Sequence, residues 1–298
     1  MVKQALNQTP VISRDIITLY DRFTHGGMDR RAFMSGLAKL AGSTAAATAL
    51  LPLLQNNYAQ AETIRPDDPR LETAESVSIT GGEKGLTGYL ARPKGSGKLP
   101  AVLVIHENRG LNPHIKDITR RIALEGFLAL GIDVLSPDGG TPEDEDKARD
   151  MFAKLTGEVA EARATSAIRF LAKHPQATGK VGTVGFCWGG GIVNRVAAGE
   201  PTLNAGVAYY GPQLPAERVS SIKAVLLLHY AGLDQRIDAG IPAYQAALDA
   251  AKVRYQIFMY DGVDHAFNND TNAARYNEAA AKLAWSRSVE FLKRELVG

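Results

Sequence analysis

The stretch Val181-Gly182-Thr183-Val184-Gly185-Phe186-Cys187-Trp188-Gly189-Gly190-Gly191 decides the fold. An apolar, β-branched run ends in Gly-Phe-Cys-Trp-Gly, and a helical pattern from Ile192 to Ala198 follows at once. That order reads as strand, tight turn and helix, with one reactive side chain at the apex. A nucleophile elbow of this kind needs small residues two before and two after the apex. The backbone there is strained, and a Cβ would meet the neighbouring strand or helix. Gly185 and Gly189 supply the clearance, and Cys187, the single cysteine of the chain, stands where serine is usual. Alone, the string is also compatible with a glycine-rich turn around an inert buried thiol.

Strands and helices alternate on both sides of the elbow. Upstream, Ser76–Thr80 and Leu86–Ala91 flank a Gly-Gly turn and predict an antiparallel hairpin. Ala101–Ile105 is an apolar run of the buried parallel kind, and Phe127–Val134 is the next strand. Helical patterns cover Pro113–Glu125, Glu143–Leu155 and Glu158–His174. Downstream, strands are expected at Leu203–Tyr210, Ala224–Tyr230 and Val253–Tyr260, and Asn272–Leu296 reads as a long amphipathic helix. The alternation predicts an α/β fold with a doubly wound, mostly parallel sheet. Working residues of such sheets sit at the carboxyl ends of strands.

Two such ends carry the chemistry that Cys187 needs. The strand ending at Tyr230 runs into Ala-Gly-Leu-Asp234, and the strand ending at Tyr260 runs into Asp261-Gly-Val-Asp264-His265-Ala-Phe267. A His base takes the thiol proton, and a carboxylate holds the imidazole in the right tautomer. The order Cys187, Asp234, His265 is that of α/β-hydrolases. Singly, Asp234 would be a loop cap and His265 a surface histidine; together, each after a strand, they read as a triad. Asp261 and Asp264 are the rival acids, better suited to turn positions.

The strand Ala101–Ile105 ends in His106-Glu107-Asn108-Arg109-Gly110. With the Gly-Phe-Cys-Trp-Gly-Gly elbow, the acid loop at Asp234 and the Asp-His-Ala-Phe loop at His265, this resembles the dienelactone hydrolase (carboxymethylenebutenolidase) family over about residues 75 to 297. The resemblance implies an α/β-hydrolase fold and a cofactor-free hydrolase of small esters or lactones. It further implies that Glu107 lies beside Cys187 in the resting enzyme and draws the thiol proton when substrate enters. The oxyanion hole would be the backbone N–H groups of Trp188 and Asn108. The plain alternative for Glu107 is an ion pair with Arg109 or Arg120.

The sequence departs from that family where substrate is read. Family members acting on dienelactones place an arginine four residues after the catalytic histidine, and here that position is Asn269. Arg109 is a candidate anion binder, whereas Arg149 reads as a surface arginine. Tyr210 and Phe267, with Trp188, suggest a partly aromatic pocket, so Arg109, Tyr210, Phe267 and Asn269 are the candidate substrate contacts. The alternatives are a general thiol carboxylesterase or thioesterase, or a non-catalytic member whose Cys187 serves redox sensing.

Composition narrows the partners. The 298 residues are 45% hydrophobic and 22% charged, enough for one large domain, and a formal net charge of +2 leaves no nucleic-acid footprint. The six histidines show no paired ligand spacing and one cysteine makes no thiolate cluster, so neither metal nor cofactor is expected.

Residues 1–61 stand apart. Arg30-Arg31-Ala32-Phe33-Met34 is a twin-arginine string, Gly36–Leu54 is weakly hydrophobic and too polar for a stable membrane span, and Ala59-Gln60-Ala61 has signal-peptidase spacing. These predict a signal for the twin-arginine translocation machinery, cleaved after Ala61, with the mature protein in the periplasm. The alternative is a cytoplasmic protein with a retained helical arm, packed on the catalytic domain or at a homodimer contact. Residues 62–74 read as linker and 75–298 as the hydrolase-like domain.

Overall fold

A computed structural model describes residues 12–59 and 62–297. Its sheet has eight strands in the order β1-β2-β4-β3-β5-β6-β7-β8: β1 (Leu71–Ser78), β2 (Thr87–Pro93), β3 (Leu99–Ile105), β4 (Leu128–Asp133), β5 (Ala177–Phe186), β6 (Ala205–Tyr209), β7 (Val225–Ala231) and β8 (Tyr255–Tyr260). β1 and β2 pair antiparallel, β2 joins β4 antiparallel, and the pairings from β4 through β8 are parallel.

Three helices, α1 (Arg14–His25), α2 (Arg30–Ala41) and α3 (Thr44–Leu54), precede the sheet. The body then adds α4 (Pro113–Leu124), α5 (Glu145–Phe152), α6 (Gly157–Lys173), α7 (Trp188–Gly199), α8 (Ala216–Val219), α9 (Gln235–Asp238), α10 (Ile241–Ala250) and α11 (Glu278–Leu296). Strand alternation sorts them into two layers. Leu103 and Ile105 of β3 pack with Ile168 of α6, Val193 of α7 and Tyr244 of α10. Val102 and Val104 face the other way, onto Ile118 of α4 and Phe291 of α11. Both faces of β3 are therefore dry, which explains why its sequence is an unbroken apolar run.

Two boundaries differ from expectation. β1 begins at Leu71, inside the stretch expected as linker; it is an edge strand exposed at most positions, so no apolar alternation marks it. The last helix begins at Glu278, not Asn272: Asn277 caps it by accepting from the Ala280 N–H at 3.0 Å, and residues 272–277 form turns.

The leading helices form an arm with its own small core of Ile16, Tyr20, Phe23, Phe33, Leu37, Ala47 and Leu54. Gly42, at φ 83°, stops α2, and α3 leaves at a bend of 110°. Among the described residues no single helix is long and apolar enough to cross a membrane. Gln60 and Ala61 of the expected cleavage site lie outside the described residues.

The arm lies across the carboxyl ends of the strands. The Asn272 side-chain amide donates to the Leu54 carbonyl at 2.7 Å, and the Asn57 N–H donates to the Thr271 carbonyl at 2.8 Å. Arg30 of the twin-arginine string bonds Asp146 at 2.5 Å, and Phe33 is stacked on Phe23 at 4.4 Å.

Candidate active site

Cys187 sits between β5 and α7 at φ 54°, ψ −117°, strained backbone that the surrounding structure must hold in place. The two flanking glycines are required by contact. A Cβ on Gly185 would collide with the Gly189 carbonyl oxygen, and one on Gly189 would collide with that of His106.

His265 and Asp234 converge on this apex. His265 Nδ1 and Asp234 Oδ2 are 2.5 Å apart, both residues nearly fully buried. Among the described residues His265 Nε2 is buried without a hydrogen-bond partner, and a ring nitrogen of His265 lies within 4.8 Å of the Cys187 sulfur. The rival acids are elsewhere: Asp264 faces Arg14 at 3.4 Å, and Asp261 is exposed.

A residue that sequence reasoning missed completes the cluster. His25, the last residue of α1, brings Nε2 to 3.1 Å from Cys187 Sγ, and its ring meets that of His265 edge-on at 4.5 Å. Its Nδ1 faces the Asp21 carboxylate at 3.0 Å. No spacing rule would have found it, since 162 residues separate His25 from Cys187.

Electrostatics follow from this clustering. Burial pushes the Cys187 thiol up, but His25 and His265 beside it bring it down to about 6. Burial disfavours a charged His265 ring, yet the sulfur and the Asp234 carboxylate outweigh it and raise His265 to about 10. His25 is raised too, the sulfur and Asp21 outweighing burial and the neighbouring His265. Asp234 is held low against its burial by the His265 hydrogen bond.

The other expected residues divide. Asn108 and Trp188 line a cavity of about 730 Å³ together with Cys187 and His265. Trp188 opens α7, so its N–H has no intrahelical acceptor. Glu107 is buried after β3, but its Oε2 accepts from the Asn269 side-chain amide at 3.0 Å rather than from the thiol, whose hydrogen-bond partner is His25. Nor, among the described residues, is it in an ion pair: Arg109 goes to Glu145, and Arg120 to Glu62 and the Ile64 carbonyl.

Three of the candidate substrate contacts are not exposed to the cavity. Phe267 is fully buried against Tyr210 and Tyr260, and Tyr210, at φ 38°, is buried against His265. Asn269 is spent on Glu107 and on Thr271, whose N–H and hydroxyl it accepts. Asn269→Ala should therefore destabilise the protein by about 1–3 kcal/mol, because a buried carboxyl loses its donor; denaturant unfolding measures it. Arg109 lines only a small recess beside Cys187, its guanidinium on the Glu145 carbonyl at 2.8 Å. Arg149, expected as a surface residue, instead lines the cavity and lies over the Phe23 ring at 4.4 Å.

Residues 86–296 match the model of the dienelactone hydrolase family. The chain belongs to that family. A protein of Escherichia coli O157:H7, named provisionally a carboxymethylenebutenolidase, is 33% identical over 245 residues, 77% of this chain and 89% of the relative. The crystal structure of a provisionally named dienelactone hydrolase from Klebsiella pneumoniae subsp. pneumoniae MGH 78578 superposes with a TM-score of 0.67 at 29% identity, over 75% of this chain and 99% of its own. The esterase rPPE, at 18% identity, shares the fold alone, with a TM-score of 0.63 over 97% of this chain and 99% of its own. That last span reaches into the arm. This dienelactone hydrolase family member is thus a hydrolase whose fold carries extra helices over the strand ends.

Proposed function

We propose that the chain hydrolyses a small, uncharged ester or lactone through Cys187, His265 and Asp234, by way of a thioester. The observation that carries this reading is the pairing of a low thiol with a His265 ring whose Nδ1 is committed to Asp234. The thiolate attacks the carbonyl carbon and the oxyanion meets the N–H groups of Trp188 and Asn108. As the C–O bond breaks, the departing oxygen takes a proton from the His265 imidazolium. Water then gives a proton to the neutral imidazole and attacks the thioester. The C–S bond breaks, releasing the acid and restoring the thiolate.

The cavity supports an uncharged substrate. Met28, Phe152, Trp188 and Pro212 supply an apolar wall. Its cations are taken: Arg30 pairs with Asp146, Arg149 with Asp146 and Asp150, and Arg236 with Asp21 and Asp234. A substrate carboxylate would have to break one of these pairs.

The arm belongs to the same reading. It supplies Thr24, His25, Met28 and Arg30 to the cavity wall, and its docking holds Arg30 on Asp146. We therefore favour a retained arm over a leader cleaved after Ala61. Recognition by a translocation machinery would first need this end of α2 to leave the body. Mass spectrometry on protein from its native source tests both parts. An unprocessed N-terminus, and an acyl adduct on Cys187 after a brief pulse of p-nitrophenyl acetate, are expected. A chain starting at residue 62 overturns the retained arm, and turnover with no adduct overturns the thioester.

A further inference from the structure

The sulfur of Cys187 stands between two histidines of the same construction. His265 turns Nδ1 to Asp234 at 2.5 Å, and His25 turns Nδ1 to Asp21 at 3.0 Å. Thr24 Oγ1, at 2.9 Å, and the Asp21 carbonyl, at 3.1 Å, also surround His25 Nδ1. Facing acceptors, each Nδ1 keeps its proton and each ring presents Nε2 to the sulfur side. Three atoms, two Nε2 and one Sγ, then share the single thiol proton. His25 Nε2 stands 3.1 Å from Sγ, and a ring nitrogen of His265 lies within 4.8 Å of it.

The carboxyl group that the family resemblance assigns to the resting thiol is otherwise engaged. Glu107 lines the same small recess as Cys187 and is held there by Asn269. We infer that His25, oriented by Asp21, is a catalytic residue of this enzyme: the imidazole that holds the Cys187 sulfur ionised at rest, in the place of Glu107. The S–H bond breaks and its proton passes to His25 Nε2, so that the His25 imidazolium N–H donates to the thiolate. Before attack the proton crosses by way of the sulfur to His265 Nε2, the acid that serves the departing oxygen. No bond to carbon forms or breaks in this step. The inference rests on Cys187 being the nucleophile proposed above.

Several charges bear on the sulfur and are accounted for. His25 comes from α1, His265 from the loop after β8, Glu107 from the loop after β3, and the Tyr210 hydroxyl from the end of β6. Behind the rings stand Asp234 and Asp21, the latter with Arg275 at 3.8 Å and Arg236 at 3.9 Å. Arg236 and Arg275 line the cavities beside Cys187, and Asp21 bears on both the His25 and the His265 rings.

The test uses the full chain, whose single cysteine makes ultraviolet thiolate absorbance unambiguous. The thiolate titration and the iodoacetamide rate at neutral pH are measured for wild type, His25→Gln, Asp21→Asn and Glu107→Gln. Expected are a higher titration midpoint and an alkylation rate about tenfold lower in His25→Gln. A smaller shift the same way is expected in Asp21→Asn, which keeps the space filled should His25→Gln unfold. An unmoved midpoint in both arm variants, or a larger rise in Glu107→Gln, overturns the inference. Faster alkylation in His25→Gln overturns it too, since the arm would then merely cover the thiol. Cys187→Ala is assayed separately for hydrolysis. Hydrolysis surviving there defeats the nucleophile, whereas the titration reports on His25 either way.

Discussion

Cys187→Ala should abolish hydrolysis of an activated aryl ester, with kcat lower by a factor on the order of 10⁴ to 10⁶, as when an acylated nucleophile is removed. The fold should survive. Alanine keeps the Cβ that the elbow already accommodates at φ 54° and deletes only a buried sulfur. The unfolding temperature of the variant, read beside its turnover, separates lost chemistry from lost structure. Cys187→Ser should stay far below wild type, because two imidazoles poised to ionise a thiol do not ionise an alcohol. The pH profile is set by the same geometry. The attacking form is deprotonated and the thiol is held to about 6, so kcat/KM should be maintained at neutral pH and fall as pH drops through about 6. An acid limb near the ordinary thiol value, or full activity in the alanine variant, would remove Cys187 from the mechanism.

Much of this site was legible because parallel sheets announce themselves. β3, β6, β7 and β5 from Val181 onward are buried on both faces, so each reads as an apolar run, and the loop after each run falls at the carboxyl edge. Cys187 and Asp234 follow such runs, His265 follows the partly exposed edge strand β8 and was read from its Asp-His-Ala-Phe loop, and the structure brings the three together. Glu107 was placed at the right strand end but with the wrong neighbour, because a loop side chain can turn to any side. Phe267 and Tyr210 pack into the core for the same reason: near a site, an aromatic can close the core as readily as line the cavity, and no periodicity in a turn says which. β1 was missed at its start because an exposed edge strand has no apolar stripe. His25 was hidden most deeply. Its segment carries leader-like features, and its role depends on α1 crossing the strand ends, a tertiary fact that no local pattern encodes.

Asp234→Asn should lower kcat on the order of 10⁴-fold without loss of the fold. Asp234 does two things through two oxygens. Oδ1 accepts the Ile237 N–H at 3.3 Å and caps α9, while Oδ2 holds His265 Nδ1 at 2.5 Å. Asparagine can keep the cap with its carbonyl oxygen, so stability should change little. Its amide would instead donate toward Nδ1, which then becomes an acceptor and leaves the ring proton on Nε2. That tautomer cannot take a proton from the attacking water. Deacylation should therefore suffer most, and a burst of product followed by a slow phase is expected. His25 contacts the sulfur rather than depending on Asp234, so the thiolate itself should persist in this variant and alkylation by iodoacetamide should stay within a fewfold of wild type. Asp264→Asn is the matched control, since Asp264 faces Arg14 and makes no bond to His265. A large loss in Asp264→Asn with Asp234→Asn unaffected would transfer the acid's role to Asp264, and with it the path by which His265 is held.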